Sequence, residues 1–201
     1  MTRIIAGSAK GRRLETPRGD ATRPTSDRVR EALFSAVESW AGTWSDLRVL
    51  DLYAGSGAVG LEAASRGAAG VLLVEHDRRT AALVGRNART LGLPGVEVVT
   101  ASVRTALQRP GGEPYDLVFS DPPYPLEAEE VDADLAALVE HGWLAEDCLV
   151  VVERSRRSPE PRWPDGFVDA RRRKYGETTL WSAVWAPAEE PAEDPAEEPG
   201  E

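Results

Sequence analysis

The sequence has 201 residues, of which 41% are hydrophobic and 29% charged, and it carries a formal net charge of −10 with a single cysteine. This length suits one domain with a short appendage, and one cysteine excludes an internal disulfide and a cysteine-based zinc site. The two histidines lie far apart, no apolar run reaches the ~18 residues of a membrane span, and no signal peptide precedes the first strand. We therefore expect a cytoplasmic protein without a metal.

The charge is distributed unevenly along the chain. Residues 1–30 carry eight Lys/Arg and three Asp/Glu, residues 154–174 also carry eight and three, and residues 187–201 carry seven acids and no base. The Pro-Ala-acid-acid pattern of the last segment has no apolar face to bury, so it is predicted to be disordered. We accordingly expect a basic N-terminal extension (1–30), a folded domain (31–186) and an acidic tail (187–201).

The hydrophobic periodicity predicts strands that alternate with helices. A hairpin of Arg3–Gly7 and Arg12–Glu15 comes first, and a helix capped within residues 25–27 ends near Ser39. The strands expected next are 47–52, 71–74, 96–99, 115–120, 149–153, 167–173 and 179–185, and the helices are 59–65, 79–91 and 128–140. This order predicts an α/β fold: a mostly parallel seven-stranded sheet with helices on both faces, a C-terminal antiparallel hairpin and an N-terminal β-hairpin extension.

A glycine-rich turn follows the first long strand. Residues Gly55 to Gly60 match the spacing G-x-G-x-x-G, and Glu75 follows Gly55 by twenty residues. Glycines allow a ligand to approach the backbone, and a carboxylate at that separation accepts the hydroxyls of a ribose. The pattern favours a nucleotide-type site, with a tight turn that binds nothing as the alternative.

Asp51 favours a cationic ligand over NAD. It lies at the end of the strand that precedes the glycine turn, where a carboxylate repels a pyrophosphate and attracts a positive group. S-adenosylmethionine (SAM) carries an ammonium and a sulfonium and has no phosphate. SAM is therefore the expected cofactor, although a role for Asp51 as a cap or turn residue remains open.

The tetrapeptide Asp121-Pro122-Pro123-Tyr124 ends the fourth strand. Because two prolines cannot continue a ladder, the backbone must leave the sheet there, which directs Asp121 to the edge where ligands bind. The Asp121 carboxylate and the Pro122 carbonyl can each accept one N–H of an exocyclic amine, and Tyr124 offers a ring on which a flipped base stacks. Methyl transfer to such an amine needs no metal, whereas a proline-rich loop without chemistry is the alternative.

Together these motifs resemble class I SAM-dependent methyltransferases. Residues 2–185 as a whole resemble the RsmD family, the bacterial 16S rRNA guanine-N2 methyltransferases, and the N-terminal motifs separate that family from adenine-N6 and protein-glutamine methyltransferases. The resemblance is carried by Arg3-Ile4-Ile5-Ala6-Gly7, Lys10-Gly11-Arg12, Arg23-Pro24-Thr25, Asp27-Arg28-Val29-Arg30-Glu31-Ala32-Leu33-Phe34, Asp51-Leu52-Tyr53-Ala54-Gly55-Ser56-Gly57, Asp121-Pro122-Pro123-Tyr124 and Lys174-Tyr175-Gly176-Glu177-Thr178.

The resemblance implies methylation of the N2 amine of one guanine, position 966 of 16S rRNA, in an assembled or partly assembled small subunit. It assigns presentation of the amine to Asp121–Tyr124. The acid that many class I enzymes place against the adenine amine is missing here, so Ser102 or the Val103 backbone is expected to accept that hydrogen bond. The cofactor-binding residues implied are Asp51, Tyr53, Ala54, Gly55, Ser56, Gly57, Glu75, His76, Ser102 and Val103.

The basic N-terminal segment fits an RNA partner independently of the resemblance. Arginine and lysine neutralise phosphates and release counterions, while the flipped base is identified in the pocket. A solvated hairpin with incidental arginines is the alternative, and a monomer is expected. The predicted RNA contacts are Arg3, Lys10, Arg12, Arg13, Arg23, Thr25, Arg28 and Arg30.

Three rival functions remain open at this point. The nearest is adenine-N6 methylation of rRNA or DNA, because the Asp-Pro-Pro-Tyr motif serves that chemistry equally well. The match at Gly55–Gly60 also permits an NAD-dependent oxidoreductase. The third is a non-catalytic RNA-binding assembly factor that keeps the fold of a SAM enzyme.

Overall fold

A computed structural model of the chain describes residues 2–17, 27–123 and 126–187. The predicted acidic tail, apart from Pro187, and the predicted cap at residues 25 and 26 lie outside these ranges. The helices and strands, in chain order, are α1 (Asp27–Ala41), β1 (Arg48–Leu52), α2 (Ala58–Arg66), β2 (Gly70–Glu75), α3 (Arg78–Leu91), β3 (Val96–Thr100), α4 (Val103–Leu107), β4 (Tyr115–Ser120), α5 (Ala128–Glu140), β5 (Leu144–Ser155), β6 (Phe167–Tyr175) and β7 (Thr178–Trp185).

The strands form one seven-stranded sheet with the order β3-β2-β1-β4-β5-β7-β6. Strands β1 to β5 pair in parallel, β7 pairs antiparallel with β5, and β6 pairs antiparallel with β7. The predicted fold class is confirmed. Because β1 lies at the centre, between β2 and β4, the loops that follow these three strands meet at one edge of the sheet, which we call the carboxyl rim.

Two hydrophobic cores cover the two faces of the sheet. Successive side chains of a strand point to opposite faces. Val49 of β1 accordingly packs into the core formed with α1, α2 and α3, and Leu50 and Leu52 pack into the core formed with α4 and α5. Strands buried on both sides need nearly continuous apolar runs, which is why β1, β2 and β4 were recognisable in the sequence.

The structure corrects three details of the predicted elements. The N-terminal segment forms a single antiparallel bridge between Arg3 and Arg13 rather than two paired strands. The five-residue helix α4 was not predicted, and β5 begins at Leu144 rather than Leu149. The early part of β5 contains Glu146 and Asp147, an acidic pair typical of loops, and Asp147 has a φ of 60° where the register with β4 shifts.

The N-terminal hairpin packs onto the domain through a buried acid. Ile4 and Leu14 are part of the core on the α1–α3 face. Between them, the backbone N–H groups of Ile5 and Ala6 donate to the two oxygens of the Glu62 carboxylate at 2.6 and 2.9 Å. Glu62 is fully buried on α2, and a buried charge needs such partners. The backbone of the hairpin is therefore hydrogen-bonded directly to a side chain of the sheet domain.

Two further polar side chains hold the hairpin. The Ser65 hydroxyl accepts from the Ala9 N–H at 3.0 Å, and Asn87 of α3 exchanges two hydrogen bonds with the backbone of Glu15, at 3.0 and 2.9 Å. Gly7 lies against α2 with a φ of +80°, and a Cβ added there would lie 1.8 Å from the Ser65 carbonyl oxygen. Only glycine fits this contact.

Candidate functional site

The sheet register brings the predicted site residues to the carboxyl rim. Leu52 at the end of β1 lies beside Val74 of β2 and Ser120 of β4. The Asp121 N–H donates to the Leu52 carbonyl at 3.4 Å, and Glu75 is the last residue of β2. The glycine turn, Glu75 and Asp121 thus meet where a parallel sheet binds its ligands.

Asp51 is a buried carboxylate beneath the first turn of α2. It is 2% exposed, and its Oδ2 accepts from the Gly60 N–H at 2.8 Å. Burial raises its pKa from 3.8 to about 7, with the Gly60 hydrogen bond acting in the opposite direction and the charge of Glu75 adding to the rise. A nearby cation would favour the ionised form and lower this pKa. Asp51 is therefore a buried acceptor whose ionised form a positively charged ligand would stabilise.

Glu75 is held rigidly by the turn that it faces. One carboxylate oxygen accepts from the Gly55 N–H at 2.9 Å, and the other accepts from the Asp77 N–H at 2.8 Å and lies 3.0 Å from His76 Nδ1. A carboxylate has about four lone-pair sites, so Glu75 retains acceptor capacity for a diol. His76 itself is exposed beside it.

The glycine turn leaves room for a ligand above Gly55. Gly55 and Gly57 have φ values of +53° and +75°, in the left-handed region that favours glycine. A Cβ on Gly57 would lie 2.7 Å from a methyl of Val84, whereas a Cβ on Gly55 would meet only the Tyr53 carbonyl oxygen, at 3.8 Å. The open side of Gly55, with two buried carboxylates behind it, fits a cationic nucleoside such as SAM. Ala54 and Ser56, half-buried, complete the turn.

Tyr53 connects the turn to α5. Its φ of 59° is unusual for a residue with a side chain. Its hydroxyl donates to Asp134 Oδ2 at 2.5 Å. Burial raises the pKa of Asp134 to about 6, against the lowering effects of the Tyr53 hydrogen bond and of Arg104, and Glu130 adds to the rise. This pair holds the tyrosine ring in place beside the turn.

Sequence reasoning missed Asp134. The signal was present, because Val131, Leu135 and Leu138 form the apolar stripe of α5 and Asp134 lies within it. An acid on the buried face of a helix requires a buried donor. The donor, Tyr53, is eighty-one positions away in sequence, and no local pattern identifies it.

Ser102 and Val103 begin α4 next to the end of β2. The Ser102 hydroxyl caps the helix by accepting from the Thr105 N–H at 3.1 Å, and the Val103 side chain is buried in the core on the α4–α5 face. The Ala101 N–H donates to the Glu75 carbonyl, which places the segment at the carboxyl rim. A contact with an adenine at Ser102 or at the Val103 backbone stays a prediction.

The segment after β4 leaves the sheet as expected. Asp121 is half-buried, Pro122 is buried, and Pro123 is exposed, whereas Tyr124 lies outside the described residues. Glu153 and Arg154 at the end of β5 line a small pocket with Asp121 and Pro122. Both are buried, and neither was predicted. The signal was two charged residues that directly follow the apolar run Leu149–Val152.

The predicted RNA-binding residues divide into exposed and buried ones. Arg3, Lys10, Arg12 and Arg13 are exposed on the hairpin. Arg30 is 0% exposed, and its Nη2 donates to the Arg3 carbonyl at 3.0 Å, so the expectation that Arg30 contacts RNA is corrected. It holds the start of α1 against the hairpin instead. Arg23, Thr25 and the side chain of Arg28 lie outside the described residues.

The described residues contain neither a membrane-spanning helix nor a metal-binding cluster. No helix within residues 2–17, 27–123 and 126–187 is long and apolar enough to cross a membrane. No group of three or more His, Cys, Asp and Glu side chains in the same ranges is arranged to hold a metal ion.

The order of the strands, the antiparallel β7 and the carboxylates at the rim define a class I SAM-dependent methyltransferase. A solved structure with this fold, SMU.776 complexed with SAH, matches at a TM-score of 0.57 and 18% identity over 78% of this chain and 48% of that chain. At this identity the likeness concerns the fold alone.

Closer comparisons show the family. The family model described as "Conserved hypothetical protein 95" matches residues 2–184, and the chain belongs to that family. It is 40% identical over 162 residues to "Ribosomal RNA small subunit methyltransferase D" of Escherichia coli (strain K12), covering 81% of this chain and 79% of the relative. The structure of yhhF from Escherichia coli matches with a TM-score of 0.81 and 35% identity over 92% of this chain and 98% of that chain. The resemblance to the RsmD family is confirmed.

Proposed function

We propose that the protein transfers the methyl group of SAM to the exocyclic N2 amine of a guanine in 16S rRNA, at position 966 by family resemblance. The observation that carries this proposal is the position of Asp121, whose N–H bonds to the last carbonyl of β1, next to the glycine turn. A relative at 40% identity, named as an rRNA small subunit methyltransferase, supports the substrate class.

The cofactor residues would hold SAM by charge and by hydrogen bonds. When bound, SAM supplies an electrophilic methyl group on a sulfonium. Asp51 would stabilise the positive charge of the methionine end, and the fixed Glu75 carboxylate would accept the ribose hydroxyls. The open face of Gly55 would allow the ligand to lie against the backbone.

Asp121 and Pro122 would act on the amine. The carboxylate and the carbonyl each accept one N–H, which fixes the orientation of a nitrogen whose lone pair is otherwise delocalised into the ring. As the nitrogen–carbon bond forms and the sulfur–carbon bond breaks, positive charge develops on the nitrogen, and fixed acceptors stabilise it. The nitrogen then loses one proton to Asp121 or to water.

The partners follow from this chemistry. Binding of an rRNA substrate requires exposed basic side chains that contact its phosphates. Lys10, Arg12 and Arg13 provide such side chains on the hairpin. We propose that the protein acts as a monomer without a metal, in the cytoplasm, on 16S rRNA or on the small subunit.

The test is to map methylated nucleotides. Small subunits and 16S rRNA from cells that lack the protein are incubated with the full chain and isotopically labelled SAM. We expect N2-methylguanine at one position. Methylation of an adenine, transfer to duplex DNA, or thermal stabilisation by NAD and not by SAM would contradict the proposal.

A pair of variants tests the role of Asp121. Asp121→Asn keeps the shape of the side chain and removes its charge, so we expect kcat to fall about 100-fold, as for loss of one transition-state hydrogen bond. The affinity for SAM should be unchanged. Asp165→Asn, an exposed acid after β5, is the matched control and should keep full activity. An Asp121→Asn enzyme with the same kcat as the control would exclude this mechanism.

A further inference from the structure

We infer that β6 carries a second RNA-contacting surface, separate from the N-terminal hairpin. The surface, which we call the β6 basic surface, consists of Arg171, Arg172, Arg173 and Lys174. It binds the phosphates of nucleotides that flank the target guanine. This inference rests on the proposed function, because it assumes an RNA substrate.

The four side chains are available for a partner. All four are exposed, and none has an ion pair with another residue that the structure describes. Arg172 lies over the ring of Trp181, 5.4 Å from its centroid. Because successive side chains of a strand alternate, Arg171 and Arg173 point to the face of the sheet that carries α1, whereas Arg172 and Lys174 point to the other face. Cations this close along one strand still repel one another unless an anion compensates them. A polyanion would provide this compensation.

The surface lies at the same rim as the candidate site. β6 runs parallel to β5, because both pair antiparallel with β7, and Tyr175 at its end pairs with Thr178. The end of β6 therefore lies at the carboxyl rim. Three strand spacings separate β4, which precedes Asp121, from β6, a distance of about 14 Å. A strand of RNA that places one base at Asp121 can reach this distance within a few nucleotides.

The two basic regions lie on opposite sides of the site. The N-terminal hairpin packs on α2 and α3, beside β1 and β2, whereas β6 is the strand at the other edge of the sheet. An RNA strand that contacts both regions would cross the rim between them. The target guanine at Asp121 would then be held by RNA contacts on both sides of the site.

Protection of a sheet edge is the rival explanation. Charged residues on an edge strand prevent pairing with another molecule. The basic residues of β6 are not distributed along the edge, however, because the half far from the rim carries only the acid Asp169. The half of β6 far from the rim contains no base and leaves Val168 46% exposed. The bases are confined to the half that is close to the site, which edge protection does not require.

Acidic side chains near the surface do not cancel its charge. Asp169 precedes it on β6, and Glu177 lies in the turn that follows it. Asp116, Glu146 and Asp147 line the same groove as Arg171 and Arg173, but none of these acids forms an ion pair with either arginine in the part of the chain that the structure describes. Glu177 is 3.8 Å from Arg156, which lies in the loop after β5. Its charge is therefore already paired with a basic residue outside the β6 basic surface. The segment from Arg171 to Glu177 keeps an excess of positive charge.

The experiment measures RNA binding as a function of salt. The full chain and the triple variant Arg171→Gln/Arg173→Gln/Lys174→Gln are titrated with a 16S rRNA transcript between 50 and 300 mM salt. Screening of exposed charges increases strongly over this range. Arg172 is kept because it contacts Trp181. We expect the slope of log affinity against log salt to decrease by about two, at ~0.7 per lost phosphate contact, with at least about tenfold weaker binding near 0.1 M salt.

A single-residue comparison controls for net charge. Arg173→Gln is compared with Arg109→Gln. Arg109 is an exposed arginine that precedes β4, so it lies near the amino ends of the parallel strands, opposite the carboxyl rim. Only Arg173→Gln should reduce the salt slope, by about 0.7. Equal slopes for the two variants, or an unchanged slope for the triple variant, would overturn the inference. Aggregation of the triple variant without a change in slope would also overturn it, in favour of edge protection.

The outcome is separable from that of the proposed function. Binding is measured without methyl transfer, and the KM for SAM and kcat at saturating RNA should not change in the triple variant. If the wild type methylates no guanine but the slope still falls, the surface binds RNA and the proposed reaction is wrong. If guanine is methylated and the slope is unchanged, the reaction stands and the surface does not.

Discussion

The candidate site and the basic surfaces use charge in opposite ways. At the rim, Asp51, Glu75 and Asp134 are buried acids with short, fixed hydrogen bonds. On the hairpin and on β6, the bases are exposed. Buried charges interact strongly with a nearby partner and are little screened by salt, whereas exposed charges act weakly and additively. The first arrangement suits one small cation, and the second suits a long polyanion.

The comparison also shows that net charge describes neither region. Residues 1–30 and residues 154–174 each contain eight Lys/Arg and three Asp/Glu. Within them Arg30 and Arg154 are buried, and each donates to a backbone carbonyl, of Arg3 and of Leu126 respectively. Burial therefore separates structural arginines from those that can meet a partner.

The largest loss of stability is expected for Gly7→Ala, because the hairpin that carries exposed basic residues depends on a buried contact with α2. Gly7→Ala would place a Cβ against the Ser65 carbonyl and should lower the free energy of unfolding by about 3 kcal/mol or more. Gly11→Ala is the control, because Gly11 has a similar φ of +79° and no atom within 4 Å of the added Cβ. Strain alone should then cost about 1 kcal/mol. Urea unfolding measures both, and equal losses would show that the contact with α2 is not the cause.

Asp51→Asn should separate stability from cofactor binding. The folded-state pKa of about 7 lies above the ordinary 3.8, so the contribution of Asp51 to stability is complete below pH 4 and is lost as pH rises through 7. Removing the charge should stabilise the ligand-free protein at pH 8 and leave its stability unchanged near pH 4. SAM affinity at pH 8 should fall about 30-fold. Thermal unfolding with and without SAM at both pH values checks this.

Proton release gives an independent measure of the same group. Because a cation lowers the pKa of Asp51, SAM binding near pH 7 should release a fraction of a proton in the wild type and less in Asp51→Asn. Calorimetry in buffers of different ionisation enthalpy measures the number. The same release in both proteins would assign the proton to another group.

A smaller effect is expected at the link between α5 and the turn. Asp134→Asn weakens the hydrogen bond from Tyr53, and Tyr53→Phe removes it, so each should raise the KM for SAM roughly fivefold, from the ~1 kcal/mol of one such bond. The double variant should be no worse than Tyr53→Phe, because the residues act as a pair. Additive losses would show that they act separately.

The smallest effect is expected for one exposed base. Lys10→Gln should reduce the salt slope of RNA binding by about 0.7 and weaken binding only a few-fold. Neither the unfolding free energy nor the KM for SAM should change, since Lys10 is exposed at the tip of the hairpin. A change in SAM binding would contradict the separation between the two kinds of charge.

Most of the fold could be predicted from the sequence, because its strands are continuous apolar runs and its turns contain glycine and proline. The bounds of β4 and α5 were predicted to the residue. The start of β5 was not, because Asp147 adopts a left-handed conformation in an acidic stretch typical of a loop. Helix α4 has five residues, which is too short for a periodic signal.

The site was predictable only where it is continuous in sequence. The glycine turn, Glu75 and Asp121 each belong to a local motif, and the sheet brings them together. The bond between Tyr53 and Asp134 depends on how α5 crosses the sheet, and the burial of Arg30 depends on how the hairpin folds back. Such contacts between distant segments leave no periodic pattern.

The buried Glu62 has a consequence for transplanting the hairpin between relatives. Its carboxylate is matched to two backbone N–H groups of the hairpin, and its partner Arg66 donates to it at 2.9 Å. A chimaera that receives a foreign hairpin without this backbone path would retain an unsolvated acid on α2. We therefore expect successful grafts to exchange residues 2–17 together with α2, so that the unit of inheritance spans both segments.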